Sequence, residues 1–232
     1  MVGQDLTEYF NYLTTGYMPK RNYKKLLVSP SDMKRALLRK IQREVDLHRK
    51  EDPGLIRIKT NAMHDPDIIK ALYRAGMAGV PVELVVRDTC CLRPGVPGIS
   101  ESIRVISIVD RFLEHARLFY FRNGGNEEYF IGSADTMKRN LEHRVEVVTP
   151  VESPALRQQL RHILDIQWND RRGAWDMQPD GSYVQRQPTG EHDCLSSQQQ
   201  LIHIASKRQK AAKVLKRLKS GGKSRKEFWQ AY

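Results

Sequence analysis

Residues 55–86 read LIRIKTNAMHDPDIIKALYRAGMAGVPVELVV. Leu55 to Thr60 alternates apolar and polar side chains, the period of a strand with one buried face. Asp65-Pro66 supplies a helix N-cap and a first-turn proline. Ile68, Ile69, Leu72 and Tyr73 then recur at helical spacing, and Gly79 stops the run. Pro81 to Val86 is a second, more apolar strand. A strand, a helix and a strand in this order predict a parallel pair inside an α/β layer.

The pattern extends outward from this unit. Residues 31–49 read as an amphipathic helix capped by Ser31, with Met33, Leu37, Leu38, Ile41 and Val45 on its apolar face. Residues 1–24, with Tyr9, Phe10, Tyr12, Gly16, Tyr17 and Pro19, read as the end of one element and a linker. After the loop RDTCCLRPGVPG (87–98) come four more strand-like segments: Arg104–Val109, Ala116–Phe121, Glu128–Ile131 and Arg144–Val148. A turn at Asn123-Gly124-Gly125 joins the second to the third. A helix follows Ser153 as far as Trp168. Asp180-Gly181 marks a hairpin, and residues 196–219 form a last, basic helix. The expected fold is therefore α/β, a mixed sheet flanked by helices over residues 25–187, with a helical basic C-terminal tail over 188–232.

Composition narrows the function. The chain has 232 residues, of which 40% are apolar and 28% charged, an ordinary globular balance. No apolar run approaches the roughly 20 residues of a membrane span. Three cysteines, two of them adjacent at 90 and 91, suit neither a disulfide framework nor a zinc site. The net charge is +12. Ten basic and three acidic residues fall after Gln187, so the tail carries more than half of the excess. Such a balance favours polyanionic partners. Gly222-Lys223-Ser224 imitates the end of a P-loop, but Arg217 stands where the first glycine belongs and no strand precedes it. These features predict a cytoplasmic protein, free or peripheral at a membrane.

One constellation carries chemistry. His115 and Arg117 are two residues apart at the start of a strand, which puts them on one face. An imidazole can attack phosphorus or shuttle a proton, and a planar guanidinium binds phosphate oxygens in pairs. The next strand ends in Gly132-Ser133, where backbone N–H groups can approach a phosphate. Arg87 and Asn61 follow the strands VELVV and LIRIK at their carboxyl ends, where ligands of open α/β sheets bind. Arg139, Asn140 and Arg144 stand ready to complete an anion pocket.

The order His-x-basic, strand, Gly-Ser resembles a half-site of the phospholipase D superfamily, with Arg117 at the usual lysine and Asp135 at the usual asparagine. Longer segments, VELVVRDTCCLRPGVPGISESIRVISIVDRFLEHARLFYFRNGG and GSADTMKRNLEHRVEVVTPVESPALRQQL, are similar to the last domain of the type-1 polyphosphate kinases. FNYLTTGY, LLVSP and LYRAGMAGVPVELVVR add to the likeness, which spans about residues 6 to 175. That family moves the terminal phosphate of ATP to polyphosphate, reversibly, through a phosphohistidine. The resemblance implies ATP or ADP, Mg²⁺ and polyphosphate as ligands, with His115 catalytic and Arg87 and His115 on the nucleotide phosphates. Arg117 and Arg144 would support them, with Asn61 and Ser133 nearby. It also implies a partner: the preceding catalytic domain, which carries the phosphorylated histidine and lies outside this chain. Alone, the chain is then expected to be half a site and inactive, or to act within a homo-oligomer. The alternatives are a polyanion- or nucleotide-binding module without turnover, as a remnant or split subunit, and a dimeric phospholipase D-like phosphodiesterase. Two departures from the family pattern are Asp88, where glycine is usual, and Thr136, where tryptophan is usual.

Overall fold

The computed structural model describes residues 2–16, 23–190 and 193–220, with side chains as far as 213. Tyr17 and Pro19 of the expected linker and Gly222-Lys223-Ser224 of the tail lie outside the described residues. Helix α1 (Val2–Thr15) comes first, then strand β1 (Leu27–Ser29) and helix α2 (Met33–Leu47). The unit β2 (Ile56–Thr60), α3 (Pro66–Met77), β3 (Val82–Val86) follows, then β4 (Ile103–Ile108), β5 (Arg117–Phe121) and β6 (Glu128–Gly132). The short α4 (Lys138–Glu142), β7 (Glu146–Pro150) and α5 (Pro154–Trp168) lead to the hairpin β8 (Ala174–Met177), β9 (Tyr183–Gln185) and to α6 (Ser197–Ser220).

The nine strands among the described residues join one mixed sheet in the order β1-β7-β6-β5-β2-β3-β4-β8-β9. The centre, β2-β3-β4, is parallel, and the flanks are antiparallel. Alternation along the strands builds two layers of core. Ile56, Ile58, Leu84, Phe119 and Phe121 meet Met33, Leu37 and Ile41 of α2 and Ile68 and Leu72 of α3 on one face. Leu118, Tyr120 and Tyr129 meet Leu164 of α5 on the other. Arg57 of β2 also faces α5, pairing with Asp165 of that helix and with Glu83 of β3. The mixed sheet flanked by helices is thus as the sequence predicts. Among the described residues, no helix is long and apolar enough to cross a membrane.

Local signals hold where the chemistry is local. Asp65 caps α3, its carboxylate accepting the N–H groups of Asp67 and Ile68 at 3.1 Å. Two details differ. The N-cap of α2 is Asp32 rather than Ser31, and its carboxylate is taken up by Arg35 and Arg39 instead of the helix N–H groups. The strand expected from Arg144 begins at Glu146, because the N–H groups of His143 and Arg144 both turn back onto the carbonyl of Arg139.

Candidate functional site

Strand direction decides which ends share an edge. β2 and β3 are parallel, β5 runs against β2, and β6 runs against β5. The carboxyl ends of β2, β3 and β6 therefore meet the amino end of β5. The loops that follow are stitched together by their backbones. Arg87 N–H donates to Thr60, Asp88 N–H to Asn61 at 2.8 Å, Met63 N–H to Thr89 at 2.9 Å, and the His64 and Asp65 N–H groups to Thr136 at 3.0 Å. Thr136 is fully buried, and its hydroxyl donates to the Ala62 carbonyl at 3.0 Å, so this departure from the family pattern sits in the framework beneath the site.

A cleft of about 430 Å³ opens over these loops, lined by His64, Arg87, Lys138 and Arg139 together with Asn61, Asp88 and Asp135. Its carboxylates are not equivalent. Asp135 is buried and accepts from Arg117 at 3.1 Å (Nε) and 2.9 Å (Nη2), from the Asn61 backbone at 2.7 Å and side chain at 3.2 Å, and from the Thr60 hydroxyl at 3.0 Å. Burial pushes its carboxyl up, but these donors, Arg117 first, outweigh it and hold the group below the usual aspartate range. Asp88 is exposed at the cleft lip.

The Arg117 guanidinium carries the network further. Its Nη1 lies 3.1 and 3.2 Å from the two ring nitrogens of His115 and donates to the His115 carbonyl at 3.0 Å. Arg87 reaches the same loop from the neighbouring strand, its Nη1 donating to the Glu114 carbonyl at 3.4 Å. Arg87, His115, Arg117 and Asn61 are thus one connected cluster. Of the expected site residues, Arg87 and Asn61 line the cleft, whereas His115, Arg117, Ser133 and Arg144 are not in its lining; His115 and Arg117 join it only through this cluster. The Ser133 hydroxyl donates to Glu146, which also accepts from Asn140 at 2.7 Å. Arg144 is exposed and makes no ion pair among the described residues.

Glu114 is the residue that sequence reasoning passes over. Its carboxylate accepts from Lys59 at 2.7 Å, Gln167 at 3.0 Å and Gln198 at 2.8 Å. Lys59 is only 3% exposed, in mid-sheet. No signal in the sequence marks this pair: the alternation of IRIKT places Lys59 on the polar face, and only the covering of that face buries it and makes it need a carboxylate. The arrangement places Arg87, Lys138 and Arg139 around a cavity with the exposed His115 imidazole on the adjoining loop, a charge that suits anionic groups; the Ser133 N–H expected to meet a phosphate is instead donated to the Val147 carbonyl.

Comparison with known proteins bears on this geometry. Residues 26–198 match the family model described as polyphosphate kinase C-terminal domain 2. A polyphosphate kinase of Thermosynechococcus vestitus is 54% identical over 187 residues, which cover 81% of this chain and 25% of that protein. One from Synechocystis is 53% identical over 197 residues, 85% of this chain and 27% of that protein. The crystal structure of polyphosphate kinase from Porphyromonas gingivalis superimposes with a TM-score of 0.83 at 36% identity, covering 89% of this chain and 31% of that one. The chain spans about a quarter of the length of the curated relatives it matches.

Proposed function

The chain belongs to the polyphosphate kinase C-terminal domain family, and on that premise we propose that its cleft is the ATP- and polyphosphate-binding half of a polyphosphate kinase active site. The observation that carries this reading is that Arg87, which lines the cleft, also grips the backbone of the loop that carries His115, through the Glu114 carbonyl. Arg87 and His115 contact the phosphates next to the transferred group. Arg117, locked by Asp135, keeps the imaginable rotations of the His115 ring few and leaves a fixed positive charge beside it. Phosphoryl transfer breaks the bond from the terminal phosphorus to its bridging oxygen while a new oxygen or nitrogen attacks in line. Charge accumulates on the bridging and equatorial oxygens, where preorganised cations lower the barrier. The attacking group belongs to the catalytic domain outside this chain, so the chain by itself supplies binding and charge rather than turnover.

Magnesium fits this site only as a passenger. Of the two carboxylates at the cleft, Asp135 is consumed by Arg117, which leaves Asp88 alone. One carboxylate does not make a dedicated cage, whereas Mg²⁺ commonly arrives on nucleotide phosphates with most of its waters.

The test is a chimaera. Residues 26–198 replace the corresponding segment of the Synechocystis polyphosphate kinase. Polyphosphate synthesis is expected, and Arg87→Ala or His115→Ala is expected to lower kcat by roughly a hundredfold, the scale for losing one preorganised charge donor. Synthesis that survives both substitutions overturns the reading. A folded chimaera that binds ATP yet never turns over makes the chain a binding module instead.

A further inference from the structure

The loop 109–116 that presents His115 has no regular secondary structure, and its apolar side chains do not anchor it. Phe112 is 51% exposed and Leu113 73%. A segment so placed is normally mobile, because it buries little and its backbone groups face water. Here those backbone groups are gripped from a distance of 86 residues. Gln198, 5% exposed in the first turn of α6, accepts the Phe112 N–H at 2.7 Å and donates to the Phe112 carbonyl at 2.8 Å. The same amide nitrogen donates to the Glu114 carboxylate at 2.8 Å.

The grip is itself braced. Ser196 and Gln199 form a capping box: the Gln199 N–H donates to the Ser196 hydroxyl at 3.3 Å, and the Ser196 N–H to the Gln199 side chain at 3.0 Å. The Ser196 hydroxyl also donates to Asp110 at the start of the loop. The Ser197 N–H donates to buried Asp170 at 2.8 Å. Gln198 thus sits on an immobilised turn, and the family match ends at this residue.

We infer that Gln198 is a positioning residue: by clamping both sides of the Phe112 peptide and the Glu114 carboxylate, it holds the His115 loop in its phosphate-binding shape before ligand arrives. This rests on the reading of the cleft given above. Ordering a loop costs backbone entropy, and that cost is subtracted from binding when it must be met on association. A loop already ordered by α6 spares the ligand that loss.

The test uses the full chain with Gln198→Ala and Gln198→Glu, and Ser206→Ala on the exposed part of α6 as control. Gln198→Glu keeps the length and the acceptor for Phe112 but sets an oxygen against the Phe112 carbonyl and Glu114. The Ser196–Asp110 and Ser197–Asp170 links remain to keep the helix docked. Three readouts are taken: thermal stability, hydrogen exchange at the Phe112 amide, and titration of inorganic tripolyphosphate followed by calorimetry and the His115 ring resonances. In both Gln198 variants, Phe112 exchange is expected to rise at least about tenfold with Tm nearly unchanged, and the tripolyphosphate Kd to rise roughly five- to tenfold. The control should match the wild type. Unchanged Phe112 exchange in both variants overturns the proposal, as does faster exchange with unaltered affinity. Failure of the wild type to bind tripolyphosphate would refute the cleft's assigned ligand, while the exchange data would still decide what Gln198 does to the loop.

Discussion

An arginine at 117 asks for a carboxylate, and Asp135 supplies one in a two-point ion pair. Both residues depart from the half-site pattern of lysine and asparagine, and the two departures compensate each other. Sequence reading found each separately. It could not pair them, because residues 18 apart meet only through the register that sets Arg117 opposite Gly132. The expectation is a strong coupling. Asp135→Asn alone leaves a guanidinium without its counter-charge and should destabilise the fold by about 2–4 kcal/mol. Combined with Arg117→Lys it should cost clearly less than the sum of the single changes. Urea unfolding of the four proteins in a double-mutant cycle checks this, and strict additivity would contradict it. The pH dependence has a definite sign. Asp135 titrates lower in the native state than when unfolded. Its contribution is therefore full above the ordinary aspartate range and is lost as pH falls through the lowered native value. The stability gap between wild type and Asp135→Asn should shrink in acid accordingly.

At the scale of elements, the close approach of β6 and β7 is the tightest constraint at the site edge. A Cβ at Gly132 would lie 2.4 Å from the Val147 carbonyl and 2.6 Å from a Val148 methyl. Gly132→Ala should therefore push β7 away and destabilise by about 1–3 kcal/mol, with chemical-shift changes centred on 146–149. A variant as stable as the wild type would show that the strands yield freely there. β2, α3 and β3 were legible because alternation, an Asp-Pro cap and a stopping glycine all agree within 32 residues. The β8–β9 turn was legible at Asp180-Gly181, but the strands themselves and β1 were not, since three or four residues are too short to show a period, and the pairing of β1 with β7 and of β8 with β4 is set by the rest of the sheet. The helix beginning near residue 196 was legible, but its Ser196–Gln199 capping box went unread. Nor was its partner loop legible, for no local rule links Gln198 to Phe112.

For the molecule as a whole, charge and burial divide the chain differently. Charge alone separates the stretch after Gln187 from the body. Burial keeps its first part with the body, because Ser196, Ser197 and Gln198 are sealed against the domain. Beyond them α6 runs along α5, with Arg208 bonded to Gln159 at 3.3 Å and Lys207, Lys210 and Lys213 exposed. Composition reports the sign of a segment but not what covers it, which is why the clasp was invisible beside the basic run. Removing residues 207–232 should leave Tm within about 2 °C, since of residues 207–213 all but the half-buried Ala211 are exposed. It should weaken binding of long polyphosphate and flatten its salt dependence, with a log–log slope change of about 0.7 per lost contact on a single-stranded polyanion. Titrations of both forms at several salt concentrations check this, and identical slopes would mark the α6 cations as solvated only.

The cleft itself is tested most directly by calorimetric titration of ATP into the full chain and into Arg87→Ala, with Arg35→Ala on the outer side of α2 as a charge-matched control. Arg87 is the cation that both lines the cleft and touches the His115 loop. Its loss should weaken ATP binding at least about tenfold, near 1.4 kcal/mol, while Arg35→Ala leaves it unchanged. Equal affinity in wild type and Arg87→Ala would contradict the assignment of this sheet edge as the phosphate-binding half of the site.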